Sequence, residues 1–130
     1  MVMEKEELVK YWVKAAELDF PSIDNMFEKG EYVWSLFIGH LVLEKILKAH
    51  YSVKIGKMPP KTHDLLKLAN ACGLELDSGQ IKILDKVNEF NIEARYPEEK
   101  FLFYKKCTRD FTFENINLIK GIYEWLKSRI

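Results

Sequence analysis

Apolar positions recur at helical spacing over most of the chain, and no stretch alternates as a strand would. From Glu4 to about Lys29, Leu8, Trp12, Ala15, Ala16, Ile23 and Phe27 fall on one helix face. Pro21 lies inside this segment and lacks the amide that would bond back four residues, so a kink or a restart is expected there. Gly30 fits a helix end. The second segment, Glu31 to about Val53, contains YVWSLFIGHLVLEKIL, whose clearly polar side chains are Ser35, His40, Glu44 and Lys45. A helix apolar on nearly every side belongs in the centre of a bundle.

KIGKMPPK then breaks the pattern with Gly56, Pro59 and Pro60. Thr62 is placed to cap a short helix running to Cys72, with Asp64 in its first turn and Gly73 after it. Asp77 or Ser78 opens a fourth helix carrying Ile81, Leu84, Val87 and Asn88 toward Ile92, and Pro97 is expected to stop it near Tyr96. An irregular stretch follows. The last helix, from about Phe111 to Ser128, spaces Phe113, Ile116, Ile119, Tyr123 and Leu126, with Ile130 beyond, as one face. The pattern predicts an all-α fold: a single domain over residues 1–130, built as a five-helix up-and-down-type bundle with short connections.

Composition changes this picture little. At 130 residues the chain is long enough to bury a core without disulfide or metal staples. Its 20 acidic and 20 basic residues cancel, which argues against a broad electrostatic grip on nucleic acid and leaves room only for a local one. No apolar run is long enough for a bilayer span. The start, MEKEE after two residues, has neither the basic nor the apolar part of a signal peptide, so a cytoplasmic protein is expected. Cys72 and Cys107 lie outside any CxxC or Cys/His cluster and read as buried free thiols.

Candidate chemistry gathers in two places. His40, Glu44 and Lys48 recur every four residues on one side of the second helix, and a carboxylate inside a bundle needs a cation or several donors. Lys48 or Arg95 would serve. A His with a Glu four residues on lacks a third ligand at matching spacing, so no metal and no cofactor is expected. His63 stands where the short helix begins. In the fourth helix Asn88, Asn91 and Arg95 share a face that leads into Tyr96 and Pro97. Arginine here is unusual, because 17 of the 20 basic residues are lysine, and its planar fork of donors suits phosphate or carboxylate. Arg95, Tyr96, Asn88, Asn91, Glu44, Lys48, His40 and His63 are therefore the candidate ligand-binding residues, with no catalytic residue among them. There is no glycine-rich phosphate loop, GxSxG or Cys/His nucleophile pattern.

Four pieces in order carry a resemblance: Asp19 in the first helix, LEKILKA at Leu43 to Ala49, THDL at Thr62 to Leu65, and ARYP at Ala94 to Pro97. Together they resemble the HEPN family (higher eukaryotes and prokaryotes nucleotide-binding domain) from about Ala15 to the last helix. The resemblance implies a helical bundle that forms a homodimer, binds a nucleotide or RNA, and acts beside a minimal nucleotidyltransferase in a toxin–antitoxin-like module. Many members of the family are ribonucleases with an Arg followed four to six residues later by a His. Here His40, His50 and His63 all precede Arg95, so that motif is absent. Histidine is the side chain that titrates unperturbed near neutrality and can move a 2′-hydroxyl proton. A non-catalytic binding role is the leading expectation. A metal-independent ribonuclease toxin using Arg95 with His40 or His63 is the first alternative, and a purely structural protein-interaction subunit the second.

Overall fold

A computed structural model describes residues 3–130, and among them every regular element is a helix. In order these are α1 (Lys5–Glu28), α2 (Tyr32–Ile55), α3 (Leu65–Ala71), α4 (Ser78–Arg95), α5 (Pro97–Lys106) and α6 (Arg109–Ser128). The bundle expected from the sequence is present with six helices instead of five. None of them is long and apolar enough to cross a membrane.

α2 is the axis of the bundle, packing against α1, α3, α4 and α6 and touching α5. Leu36, Leu43, Ile46 and Leu47 on it are fully buried. Its core-facing apolar side chains are covered by the surrounding helices, while Val53 and Ile55 near its C-terminal end are exposed. α1 and α2 form a long hairpin joined at Gly30, which takes φ +77°. There Glu31 N donates to Met26 O at 2.9 Å and Gly30 N to Phe27 O at 3.0 Å, the paired bonds of a Schellman turn. The hairpin is stitched by Ser35 Oγ donating to Ile23 O at 2.7 Å and by an ion pair between Lys45 and Asp19.

Pro21 neither stops nor restarts α1. It sits on the exposed side, where water can satisfy the Glu17 carbonyl, while Ala16 and Ile23 hold the helix to the core on either side of it. Asp64, not Thr62, caps α3: its Oδ1 accepts from Leu66 N and Lys67 N, and Thr62 instead accepts from Asp64 N. Asp77 caps α4 with Gln80 in a reciprocal capping box.

The largest departure follows Pro97. That proline ends α4 at Arg95, as expected, but it also opens α5, which replaces the irregular stretch. Proline suits the first position of a helix, where no amide partner is required. Glu98 and Glu99 in the first turn and Lys105 and Lys106 in the last complement the helix dipole. Phe103 is the buried residue of α5 and stacks on Phe90 of α4, with ring centroids 5.5 Å apart. On α6, Ile116, Ile119, Tyr123 and Leu126 are buried as expected, whereas Phe113 is half exposed. Cys72 and Cys107 are free and buried; burial pushes their thiols up to about 11 and about 12.

α2 and α6 come into tight contact at Gly39. A Cβ there would lie 2.8 Å from Cδ1 of the fully buried Ile119. Gly39→Ala is expected to cost about 1 kcal/mol, because overpacking outweighs the gain in helix propensity. In an Ile119→Val background, which removes Cδ1, the same change should become neutral or stabilising in chemical denaturation.

Candidate functional site

The candidate site forms where α3 begins and α4 ends. The segment before α3 brings His63 and Asp64; α4 brings Asn88, Asn91, Ile92 and Arg95, with Tyr96 just beyond. These seven residues line an open pocket of about 330 Å³. Behind them α2 supplies His40, Glu44 and Lys48, all buried.

Glu44 is the hub of that buried group. Its Oε2 accepts from Lys48 Nζ at 2.9 Å and its Oε1 from His63 Nδ1 at 2.8 Å. Lys48 Nζ also lies 5.2 Å from the centre of the Trp12 ring. Glu44 therefore has its cation in Lys48, not in Arg95. His63 is fixed by this bond through Nδ1, which leaves Nε2 without a partner among the described residues on a ring that is 55% exposed and borders the pocket.

His40 braces the same corner from below. Its Nε2 donates to the His63 carbonyl at 2.8 Å, so Nδ1 is the unprotonated nitrogen, 3.9 Å from Glu44 Oε1 and without a partner among the described residues. Burial pushes the His40 pKa below the ordinary 6.5; the His63 carbonyl and Glu44 oppose this, and the charges of His63 and Arg95 reinforce it. His50, bonded through Nε2 to the Leu126 carbonyl at 2.7 Å, is also lowered by burial.

The unfolded chain takes up protons near pH 6.5 that folded His40 and His50 refuse, so stability present above that pH falls as pH drops below it. Between pH 7.5 and 5.5 each histidine is expected to remove up to about 1.4 kcal/mol of stability. Urea denaturation at the two pH values checks this. His50→Gln, which keeps a donor for Leu126 O, should flatten the dependence.

Arg95 is exposed and forms no ion pair among the described residues; its guanidinium lies 5.8 Å from the centre of the Tyr96 ring. Asn88 lines the pocket with its amide already used: Oδ1 accepts from Leu65 N at 2.9 Å and Nδ2 donates to Asp64 Oδ1 at 3.0 Å. It fastens the start of α3 to α4. Asp64 is a pocket residue that the sequence pattern does not single out. The THD triplet is its only local signal, and that signal serves equally well for a cap.

The family model described as HEPN domain matches residues 9–129. The chain belongs to the HEPN domain family. Comparison with curated proteins gives no match. Among solved structures, this HEPN domain is similar to the crystal structure of TT1696 from Thermus thermophilus. The two share 17% identity over 94% of this chain and 98% of that one, with a TM-score of 0.78. At that identity the likeness bears on the fold alone.

Proposed function

We propose that this HEPN domain is a non-catalytic binding component whose pocket takes the phosphate of a nucleotide or an RNA end. The observation that carries this reading is the Arg95 guanidinium, which has no carboxylate partner among the described residues and stands at the edge of a pocket it lines. Charge-assisted bonds from a planar guanidinium suit phosphate oxygens. Calorimetric titration with nucleotides should show saturable binding. Arg95→Ala should weaken it roughly tenfold to a hundredfold, by loss of hydrogen bonds to a charged group, with Arg95→Lys between the two. Unchanged affinity in Arg95→Ala would remove the basis of this reading.

Family membership supports two further parts of the proposal: a homodimer, and a minimal nucleotidyltransferase as protein partner in a toxin–antitoxin-like module, within the cytoplasm. Light scattering at twice the chain mass would support the dimer, and a concentration-independent monomer mass would refute it.

A second reading rests on the Glu44–His63 pair. A carboxylate holding Nδ1 of an imidazole leaves Nε2 as a base, and the fold brings that base to the pocket of Arg95 although no histidine follows Arg95 in sequence. In this reading Nε2 takes the proton of an RNA 2′-hydroxyl. The 2′-oxygen attacks phosphorus, the bond to the 5′-oxygen breaks to give a 2′,3′-cyclic phosphate, and the 5′-oxygen leaves as a hydroxyl by taking a proton from water. Incubation with RNA without metal decides between the two. Cleavage abolished by both His63→Ala and Arg95→Ala would establish the ribonuclease; intact RNA favours binding alone.

A further inference from the structure

Asn91 differs from the other polar side chains around the pocket. It is 5% exposed and lines the cavity, yet its amide forms no hydrogen bond with any described residue. Asn88, one turn earlier, is satisfied through both ends of its amide. Among the described residues, the buried side-chain atoms sealed off without a partner are Trp12 Nε1 and His40 Nδ1. The Asn91 amide is not one of these, so it keeps some exposure, and the cavity that Asn91 borders is this pocket. A buried amide left unsatisfied is costly, and a ligand that displaces water from Asn91 must replace both bonds.

That requirement narrows the ligand. A phosphate offers only acceptors and would leave the Asn91 carbonyl oxygen facing another oxygen. A nucleobase edge offers a donor and an acceptor side by side in one plane, and the asparagine amide pairs in this way with the 6-amino group and N7 of adenine. The pocket also holds charge of both signs. Asp64 and Arg95 both line it, so an anionic phosphate belongs at Arg95 rather than at the Asp64 carboxylate, and the uncharged base beside the phosphate. Asn91 precedes Arg95 by one turn of α4, about 6 Å along the axis. A base edge at Asn91 and a phosphate gripped by the extended arginine can therefore belong to one nucleotide. Ile92 and Tyr96, 46% and 50% exposed, form a partly apolar wall on which a ring can lie.

We infer that Asn91 reads the base and that the pocket takes an adenine nucleotide, either free or as a residue of RNA. This rests on the phosphate-binding role proposed for Arg95 and specifies what that phosphate is attached to.

Calorimetry on the full chain with AMP, GMP, UMP, ribose 5-phosphate and a short oligoadenylate tests it. AMP should bind more tightly than GMP, UMP or ribose 5-phosphate by roughly tenfold to a hundredfold, the discrimination of one bidentate contact. Asn91→Ala should bring AMP down to the level of ribose 5-phosphate and leave ribose 5-phosphate itself unchanged. Asn91→Asp, which keeps the shape and removes the donor, should lose the same preference and guards against a folding defect in the alanine variant. A tighter oligoadenylate than AMP would identify RNA as the source of the base, and the reverse a free nucleotide. Equal binding of AMP and ribose 5-phosphate, both weakened by Arg95→Ala, would overturn the base-reading role and leave the phosphate role standing. An Asn91→Ala variant that weakens ribose 5-phosphate as much as AMP would also overturn it, since that is what a merely structural residue does. If no phosphate compound binds, the Arg95 reading fails and this inference with it.

Discussion

Replacement of Glu44 by alanine is expected to lower the stability of the fold by about 3–5 kcal/mol, the cost of leaving a buried charge without its partner. Glu44 and Lys48 are 5% and 7% exposed and meet at 2.9 Å. Without the carboxylate, Lys48 keeps only the face of Trp12, which cannot replace a charged acceptor. His63 would lose its 2.8 Å anchor at the same time, so the pocket wall loosens together with the core. Glu44→Gln should cost less, because the amide still fills the space and accepts from one neighbour. The discriminating variant is Glu44→Leu with Lys48→Met. Removing both charges removes the desolvation of each, so the double change should recover most of what Glu44→Ala loses. Urea denaturation of the set gives the coupling directly. A double variant as unstable as Glu44→Ala would mean that shape, not charge, holds this corner.

Phe103→Ala is expected to produce a loss of similar size, about 3–5 kcal/mol for emptying a buried aromatic site. Phe103 is fully buried and is the buried anchor of α5. Its ring stacks on Phe90, whose ring in turn meets Phe111 edge-on at 6.0 Å. The effect should be local first. Amide exchange over residues 97–106 should quicken well before that of α1 and α2, because α5 packs chiefly on α4. Since α5 follows directly from Arg95 and Tyr96, the nucleotide affinity proposed for their pocket should fall as well. Phe103→Leu, which keeps most of the volume, should show a small part of both effects. Uniform exchange across all six helices in Phe103→Ala would instead indicate that the bundle opens only as a whole.

Those two residues also show how far the sequence can be read. The central helix is legible because an apolar run with few polar residues has only one stable place in a bundle, and Glu44 is recognisable as a carboxylate that needs a cation. Which neighbours it takes is not legible. Lys48 is one turn away on the same helix, but His63 is 19 residues distant and arrives only through the loop before α3. The His40 bond to the His63 carbonyl spans 23 residues and involves backbone, which carries no side-chain signature. α5 escapes the sequence pattern for a different reason. Pro97 reads as an end, whereas the glutamates after it and the lysines before Cys107 mark a helix that starts on that proline. Arg95, Asn91 and His63 each stand out on local grounds, from spacing on α4 and from the start of THDL. Their sharing one pocket follows from the docking of α3 on α4 through Asn88 and Asp64, a contact between residues 24 apart.

The two cysteines offer a consequence of a different kind. Each stands at the C-terminal cap of a short helix, Cys72 at the end of α3 and Cys107 at the end of α5. Both are covered, and both hold their protons well above neutral pH, where only the thiolate attacks an alkylating reagent. In the folded chain each is expected to react only when its own helix end, or the whole fold, opens. Two labelling rates, measured on the native chain with no probe introduced, thus tell whether the two ends open apart or together.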